Sequence, residues 1–328
     1  MNYFVHSWLR KRYAFVLAIL LIASSNSYSQ YVFFGKPAYE IGINIGPSNF
    51  LGDVGGNQGK GTTFIKDNNM SMTKLMKGAY LTVRPSEFIG FNLAVNFGTL
   101  EGWDSIIVGK GGLEEARKDR NLGFRSSLWE VGLTTEIYPT VLLEEDDQDL
   151  VHKFRPYAVI GVGLFHFDPK GLYNGPYGEE WVRLQPLHTE GQGMANHPGR
   201  KDYNLTQLNI PMGVGIKYYF SQKVSIGCEV LLRKTFTDYI DDVSTTYIDP
   251  NDFYSYFGAG SYNAQVAEAM SNKAIGGYSR PAYGPGDKRG TTTNNDAYFS
   301  ATLKLGIRLG GDGSNNYTSQ TRCPVLRF

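Results

Sequence analysis

The chain has 328 residues, a formal net charge of +1, 39 glycines, 22 tyrosines and 19 phenylalanines. Near-neutrality excludes a nucleic-acid binder, which needs a basic stripe to displace counterions from phosphates. Two cysteines, Cys228 and Cys323, are too few for a disulfide-stapled scaffold, so the core must hold itself together another way.

The N-terminus has the form of an export signal. Arg10, Lys11 and Arg12 make a positive region, residues 14–23 are a short apolar run, and Ser27-Tyr28-Ser29 offers small residues for cleavage before Gln30. Residues 1–29 are therefore expected to be removed. The alternative, an uncleaved anchor, is disfavoured because the run falls short of the ~20 residues of a membrane helix. No cysteine follows the run, so a lipoprotein anchor is not indicated. No later apolar run approaches that length either, which leaves an exported soluble protein or a membrane β-barrel.

Eight segments then alternate apolar and polar residues with a period of two, the pattern of strands lying between two media. The first sets Tyr39, Ile41, Ile43 and Ile45 against Glu40, Gly42, Asn44 and Gly46. The second and third, residues 79–83 and 89–98, are joined by the tight turn Arg84-Pro85-Ser86-Glu87. The fourth opposes Trp129, Val131, Leu133 and Ile137 to Glu130, Gly132, Thr134 and Glu136. The fifth and sixth cover residues 157–164 and 207–219. The seventh places Ile226, Cys228, Val230 and Leu232 on one face and Gly227, Glu229, Leu231 and Arg233 on the other. The eighth, residues 298–309, opposes Leu303, Leu305 and Ile307 to Lys304, Gly306 and Arg308.

The charges Glu40, Arg84, Glu130, Glu136, Lys217, Glu229, Arg233, Lys304 and Arg308 all fall on the polar face. That face is otherwise glycine and small polar residues, too sparse in charge for a surface in bulk water but suited to a narrow lumen, where near-balanced charges pair into a solid core. A proton or solute path is the sharper alternative. A Lys or Arg on the apolar face at mid-membrane would cost about 2–4 kcal/mol.

Long connections (residues 46–77, 99–124, 167–205 and 236–297) alternate with shorter ones. The expected fold is therefore all-β: an eight-stranded antiparallel transmembrane β-barrel over residues 30–309, with long extracellular loops, short periplasmic turns and both termini in the periplasm. Tyr39, Trp129, Tyr138, Phe167, Tyr218, Tyr219, Phe220, Tyr298 and Phe299 lie near strand ends and are candidates for interfacial girdles.

Chemical motifs are scarce. GGNQGKGTT, residues 55–63, lacks the first glycine of a phosphate-binding loop, and its Lys60 is followed by Gly61, so it reads as a loop tip. His166 and His188 are the candidates for a base, with no nucleophile at a recognisable spacing. Asp238, Asp241 and Asp242 could hold Ca²⁺, but their spacing is not the EF-hand series, and a hydrogen-bonded loop base is the preferred reading. Glu144-Glu145-Asp146-Asp147 with Asp149 is a solvated run or a docking surface. No cofactor or metal site is expected.

Four stretches make the chain resemble a known family: EEWVRLQPLHTEGQG (179–193), YNLTQLNIPMGVGIKYYF (203–220), RKTFTDYIDDVSTTY (233–247) and RCPVLRF (322–328). They are similar to the PorG family, outer-membrane barrels of Bacteroidetes associated with the type IX protein secretion system. Trp181, Gln185, Pro186, Glu190, Gln192, Asp238, Tyr239, Asp241 and Asp242 carry the loop part of the resemblance, and His188 stands where glycine is expected. The resemblance implies a non-enzymatic component that docks the periplasmic lipoprotein ring, the PorK and PorN type proteins. A paralogous surface barrel (an adhesin or small-solute pore) and a lipid-modifying barrel enzyme are the alternatives. The tail, residues 310–328, is a glycine- and asparagine-rich linker ending in Cys323-Pro324-Val325-Leu326 and Phe328, the form of a tethered docking segment. Cys323 has no ready partner within the chain, which favours an intermolecular disulfide or a free thiol.

Overall fold

The structure is a computed structural model that describes residues 37–56, 70–108, 114–140, 154–221, 223–279 and 283–309. The export signal, the acidic run at 144–149 and the tail with Cys323, Pro324, Val325, Leu326 and Phe328 lie outside the described residues.

Nine strands follow in chain order: β1 (Ala38–Leu51), β2 (Lys74–Arg84), β3 (Ile89–Trp103), β4 (Gly123–Ile137), β5 (Phe154–Gly175), β6 (Gly178–Arg183), β7 (Thr206–Tyr219), β8 (Val224–Thr235) and β9 (Ala297–Leu309). Each pairs antiparallel with its neighbours. β1 closes on β9 through Tyr39↔Leu309 to Leu51↔Ala297, while β4 pairs with β5 and β5 with β7. All but β6 therefore form an eight-stranded antiparallel barrel. β6 is a ninth, short strand that hairpins back onto the far end of β5, so the expected loop over 167–205 is in its first part a continuation of β5.

The alternation in the sequence becomes an inverted burial pattern. Ile43 is 58% exposed, Val162 61% and Val214 63%, all pointing outward, whereas Glu40, Glu130, Glu136, Lys217 and Arg233 are buried inside. Each large aliphatic left in water forfeits about 1.5–3 kcal/mol. A continuous outer band of them requires an apolar medium, and a closed ring of paired strands can stand in lipid because it leaves no open sheet edge.

The girdle expectation needs correction. Tyr39, Trp129 and Phe220 face outward, but Phe167, Tyr138, Tyr219 and Tyr298 are buried inside. Parity along each strand governs their direction: Tyr138 and Tyr298 follow the inward Glu136 and precede the inward Ser300 by two residues. Residue type had suggested the interface; the pleat decided otherwise.

The long connections share one core. Phe50, Leu100, Phe124, Leu128, Phe165 and Phe167 point into the barrel at its loop end and pack against Leu184, Ile240, Val243, Phe253, Val266 and Met270 from the connections. The last connection contains α2 (Pro250–Phe257) and α3 (Tyr262–Ser271), and the second contains α1 (Glu114–Arg120). α2 starts where the Asp249 side chain accepts from Asn251 N, with Pro250 at the first helical position, and ends at Gly258, whose φ is 98°. α3 buries Ala264, Val266, Ala267 and Met270 on one face. The loop end is thus a folded cap.

Candidate functional site

Two regions gather the sequence-flagged residues: the barrel interior and the cap. Inside, Glu40 on β1 accepts from Lys217 Nζ on β7 at 2.9 Å, from Tyr80 Oη at 3.3 Å and from Ser225 Oγ at 3.2 Å, with Arg84 Nη2 at 3.7 Å. Lys217 also reaches Glu136 at 3.7 Å. Lys304 on β9 bridges Glu136 at 3.1 Å and Glu229 at 2.9 Å. Tyr138 and Tyr157 donate to Glu136 and Glu229 respectively. Nearer the cap, Arg233 Nε lies 3.1 Å from Glu130 Oε2, which also accepts from Asn209 Nδ2 and Tyr298 Oη. The carboxylates Glu40, Glu130, Glu136 and Glu229 thus meet the cations Arg84, Lys217, Arg233 and Lys304. Arg308 is half-buried near the turn end, its guanidinium 5.4 Å from the Tyr219 ring centroid.

Little space is left within this network around Glu130 and Glu229. The cavity between Asn44, Asn96, Glu130, Thr134, Glu229 and Lys304 has a volume of about 20 Å³, room for about one water. Tyr80 and Tyr157 lie flat across the interior because Gly42 and Gly215 face them. A Cβ at Gly42 would stand 2.5 Å from the Tyr80 ring, and one at Gly215 2.2 Å from the Tyr157 ring. The interior tyrosines and Asn44, Asn96 and Asn209 are partners that the charge inventory missed, although their parity places them beside the charges.

In the cap, Glu190 and Arg289 form the central pair, 2.8 Å apart and both buried. Glu190 also accepts from the backbone of Ser244 and Thr245 and from Thr245 Oγ1, while Arg289 donates to Ser271 O and Asp242 O. Asp242 holds a left-handed backbone, φ 63°, and accepts from Thr189 Oγ1 and from Tyr203 Oη. Tyr239 stacks on Tyr203 with centroids 4.6 Å apart. Asp241 accepts from Val54 N and Val243 N. Gln192 Oε1 accepts from Glu190 N, and Gln185 donates to Tyr203 O. Pro186 sits in the helical turn Gln185–Leu187 that ends at His188, φ 50°. Glycine adopts that conformation most cheaply, which gives the expected glycine its physical reason. Trp181 stands apart on the outer wall, under the Arg125 guanidinium.

Burial drives the cap carboxyls toward their neutral forms. It pushes Asp238 up to about 7 and, against the pull of Arg289, Asp242 up to about 6. Asp241 and Asp296 are raised by burial and then by neighbouring aspartates. Asp241 and Asp242 spend their oxygens on donors from three connections, Val54 N, Val243 N, Thr189 Oγ1 and Tyr203 Oη, and no group of His, Cys, Asp and Glu is arranged to hold a metal ion among the described residues. His166 lies on the outer wall, stacked on Trp129 and beside Thr206 Oγ1; His188 packs on Tyr256 and lies 3.0 Å from Asp202. The two histidines are not brought together.

A family model described as a domain of unknown function, DUF6089, matches residues 182–266, which span the later part of the third connection, β7, β8 and the first part of the fourth connection. No curated protein matches the sequence. Among solved structures, the outer membrane protein OprG from Pseudomonas aeruginosa is 10% identical with a TM-score of 0.35, covering 84% of this chain and 99% of that one. A major outer membrane protein from Thermus thermophilus is 13% identical with a TM-score of 0.35, covering 83% and 100%. Neisserial surface protein A is 7% identical with a TM-score of 0.34, covering 83% and 97%. The barrel assignment rests on the closed ladder of strand pairings and the inverted burial pattern.

Proposed function

We propose that this barrel is a non-enzymatic outer-membrane scaffold of the type IX protein secretion system. Its turn end and both termini face the periplasm, where it docks the lipoprotein ring of PorK and PorN type proteins. The observation that carries the reading joins the resemblance to the geometry. The motif stretches at 185–193 and 233–247 are remote in sequence, yet they are locked into one unit by Thr189 on Asp242 and by Glu190 on Ser244 and Thr245. An interior spent on ion pairs also suits a scaffold better than a conduit. The tail would supply the contact, with Cys323 bonded to a ring subunit.

A surface barrel that engages ligands outside the cell is the second reading. The projecting β5–β6 hairpin favours it, since Tyr177 at its tip is 99% exposed.

Affinity capture of the tagged protein from membranes in mild detergent separates the two. The scaffold reading expects the ring lipoproteins to co-purify, and expects a larger, reductant-sensitive species on non-reducing gels of thiol-blocked membranes that vanishes in Cys323→Ser. Capture of the barrel without those lipoproteins would overturn it.

A further inference from the structure

The outer wall of β4, β5 and β6 carries an arrangement that neither the ion-paired interior nor the scaffold reading uses. Arg125 is directly opposite Lys170, and Lys170 directly opposite Arg183, so three cations stand side by side on adjacent strands. Strands lie about 4.8 Å apart, and like charges directly opposite one another are destabilising. The side chains are 45%, 40% and 54% exposed.

Two acids temper the row without neutralising it. Glu101 holds Arg125 at 2.8 Å and Lys74 at 3.0 Å, and Asp168 holds Arg183 at 2.9 Å and Lys170 at 3.9 Å. Each carboxylate therefore faces two cations, and the cluster keeps spare positive charge. Arg125 is held in place from above, its guanidinium 4.4 Å over the Trp181 ring, which meets Trp103 edge-on.

The position of the row along the barrel is equally specific. Trp129 and His166 face each other across β4 and β5, stacked on the outer wall, and mark the upper edge of the apolar band. Arg125 and Lys170 lie four residues further toward the cap on the same faces. That is about 13 Å along a strand, and less along the membrane normal because barrel strands tilt. Interfacial aromatics sit where the apolar band meets the headgroups, so the cations, further out, stand on the headgroup side where lipid phosphates lie. At the opposite end, the outward strand termini Tyr39, Ile89, Ile137, Phe154, Tyr218 and Leu309 include no cation.

We propose that Arg125, Lys170 and Arg183 form a binding site for the phosphate of an anionic membrane lipid headgroup, one without a compensating cation of its own, in the leaflet at the loop end. The Arg125 fork and the Arg183 guanidinium suit bidentate contact with phosphate oxygens, and Lys170 adds a point charge between them. An anion there removes the repulsion along the row.

Titration of the detergent-solubilised full chain with diphosphoryl lipid A, read by native mass spectrometry, tests this. The probe should bind the wild type in preference to phosphatidylcholine. The triple variant R125A/K170A/R183A should bind it about a hundred-fold more weakly, from roughly a factor of five per cation near a membrane surface. Lys234→Ala, an outward cation on β8, should leave binding unchanged, and the heat-induced mobility shift of every variant verifies a folded barrel. Equal binding by wild type and folded triple variant would overturn the proposal, as would equal binding of phosphatidylcholine. Displacement of the lipid by inorganic phosphate at matched concentration would assign the site to a soluble anion and overturn the lipid assignment.

Discussion

Lys217 carries much of the charge balance inside the barrel, because it faces both Glu40 and Glu136. Lys217→Met leaves those carboxylates in a buried site with only Arg84 and Lys304 to compensate. Removing one partner of a buried ion pair typically costs about 3–5 kcal/mol, so the urea midpoint of the detergent-folded barrel should fall accordingly; an unchanged midpoint would mean the interior is wetter than its packing implies. Among the cap residues the informative group is Asp238, raised by burial to about 7, with Asp242 raised to about 6. An unfolded aspartate titrates near ~3.9, so the folded cap binds more protons over the interval between. The stabilisation from these two groups is therefore complete below about pH 4 and is lost as pH rises through their folded values. The near-ultraviolet circular dichroism of the cap aromatics should melt at higher temperature at pH 5 than at pH 8, and Asp238→Asn should shrink that difference. A melt that rises with pH would show that the carboxyls are charged in the folded cap.

β8 tests the assignment of faces. Val230 points outward and Leu231 inward, the latter beside Tyr138, Tyr157 and Val159. Val230→Arg should cost about 2–4 kcal/mol near mid-membrane and deplete the assembled barrel from membranes. Leu231→Gln should assemble, since the small cavity it lines also offers Asn92 and Thr134 as partners; the reverse result would invert the two faces. The connections are tested by Glu190→Gln, which removes the nearer of the two buried carboxylates beside Arg289 and leaves Asp242 at 4.0 Å. Protease should then cut the cap while the barrel keeps its heat-induced mobility shift, whereas loss of both together would make cap and barrel one cooperative unit. These elements differ in how legible they are. β8 is readable from its period of two, because each face meets a single medium along its length. β5 is readable only in its first part: near Phe165 and Phe167 the inward face changes from the glycines Gly161 and Gly163 to aromatics as it leaves the ion-paired zone and enters the cap core. Judging Phe167 by residue type then overrides the parity that would have placed it inside. The short α3 has a local signature, since Ala264, Val266, Ala267 and Met270 share one face. Arg289 lies in a glycine- and threonine-rich run with no period, and its partner is 99 residues away. No local pattern reports such a pairing, whereas the resemblance marks Glu190 without saying what it binds.

For the molecule as a whole, the ring of strands, the paired interior and the folded cap describe an object that fills its own centre. The outer band holds it in lipid, the ion pairs close the middle and the cap core closes the loop end. Among the described residues, the surfaces open to partners include the cation row on β4–β6, the projecting β5–β6 hairpin and the turn end. The most direct test is conductance in planar bilayers of the purified, folded protein, beside Arg233→Ala, which removes the cation facing Glu130. The sealed interior predicts no stable channel for the wild type under applied voltage, and at most brief, small openings for Arg233→Ala. Sustained stepwise conductance from the wild type would contradict the sealed interior and favour a small-solute pore.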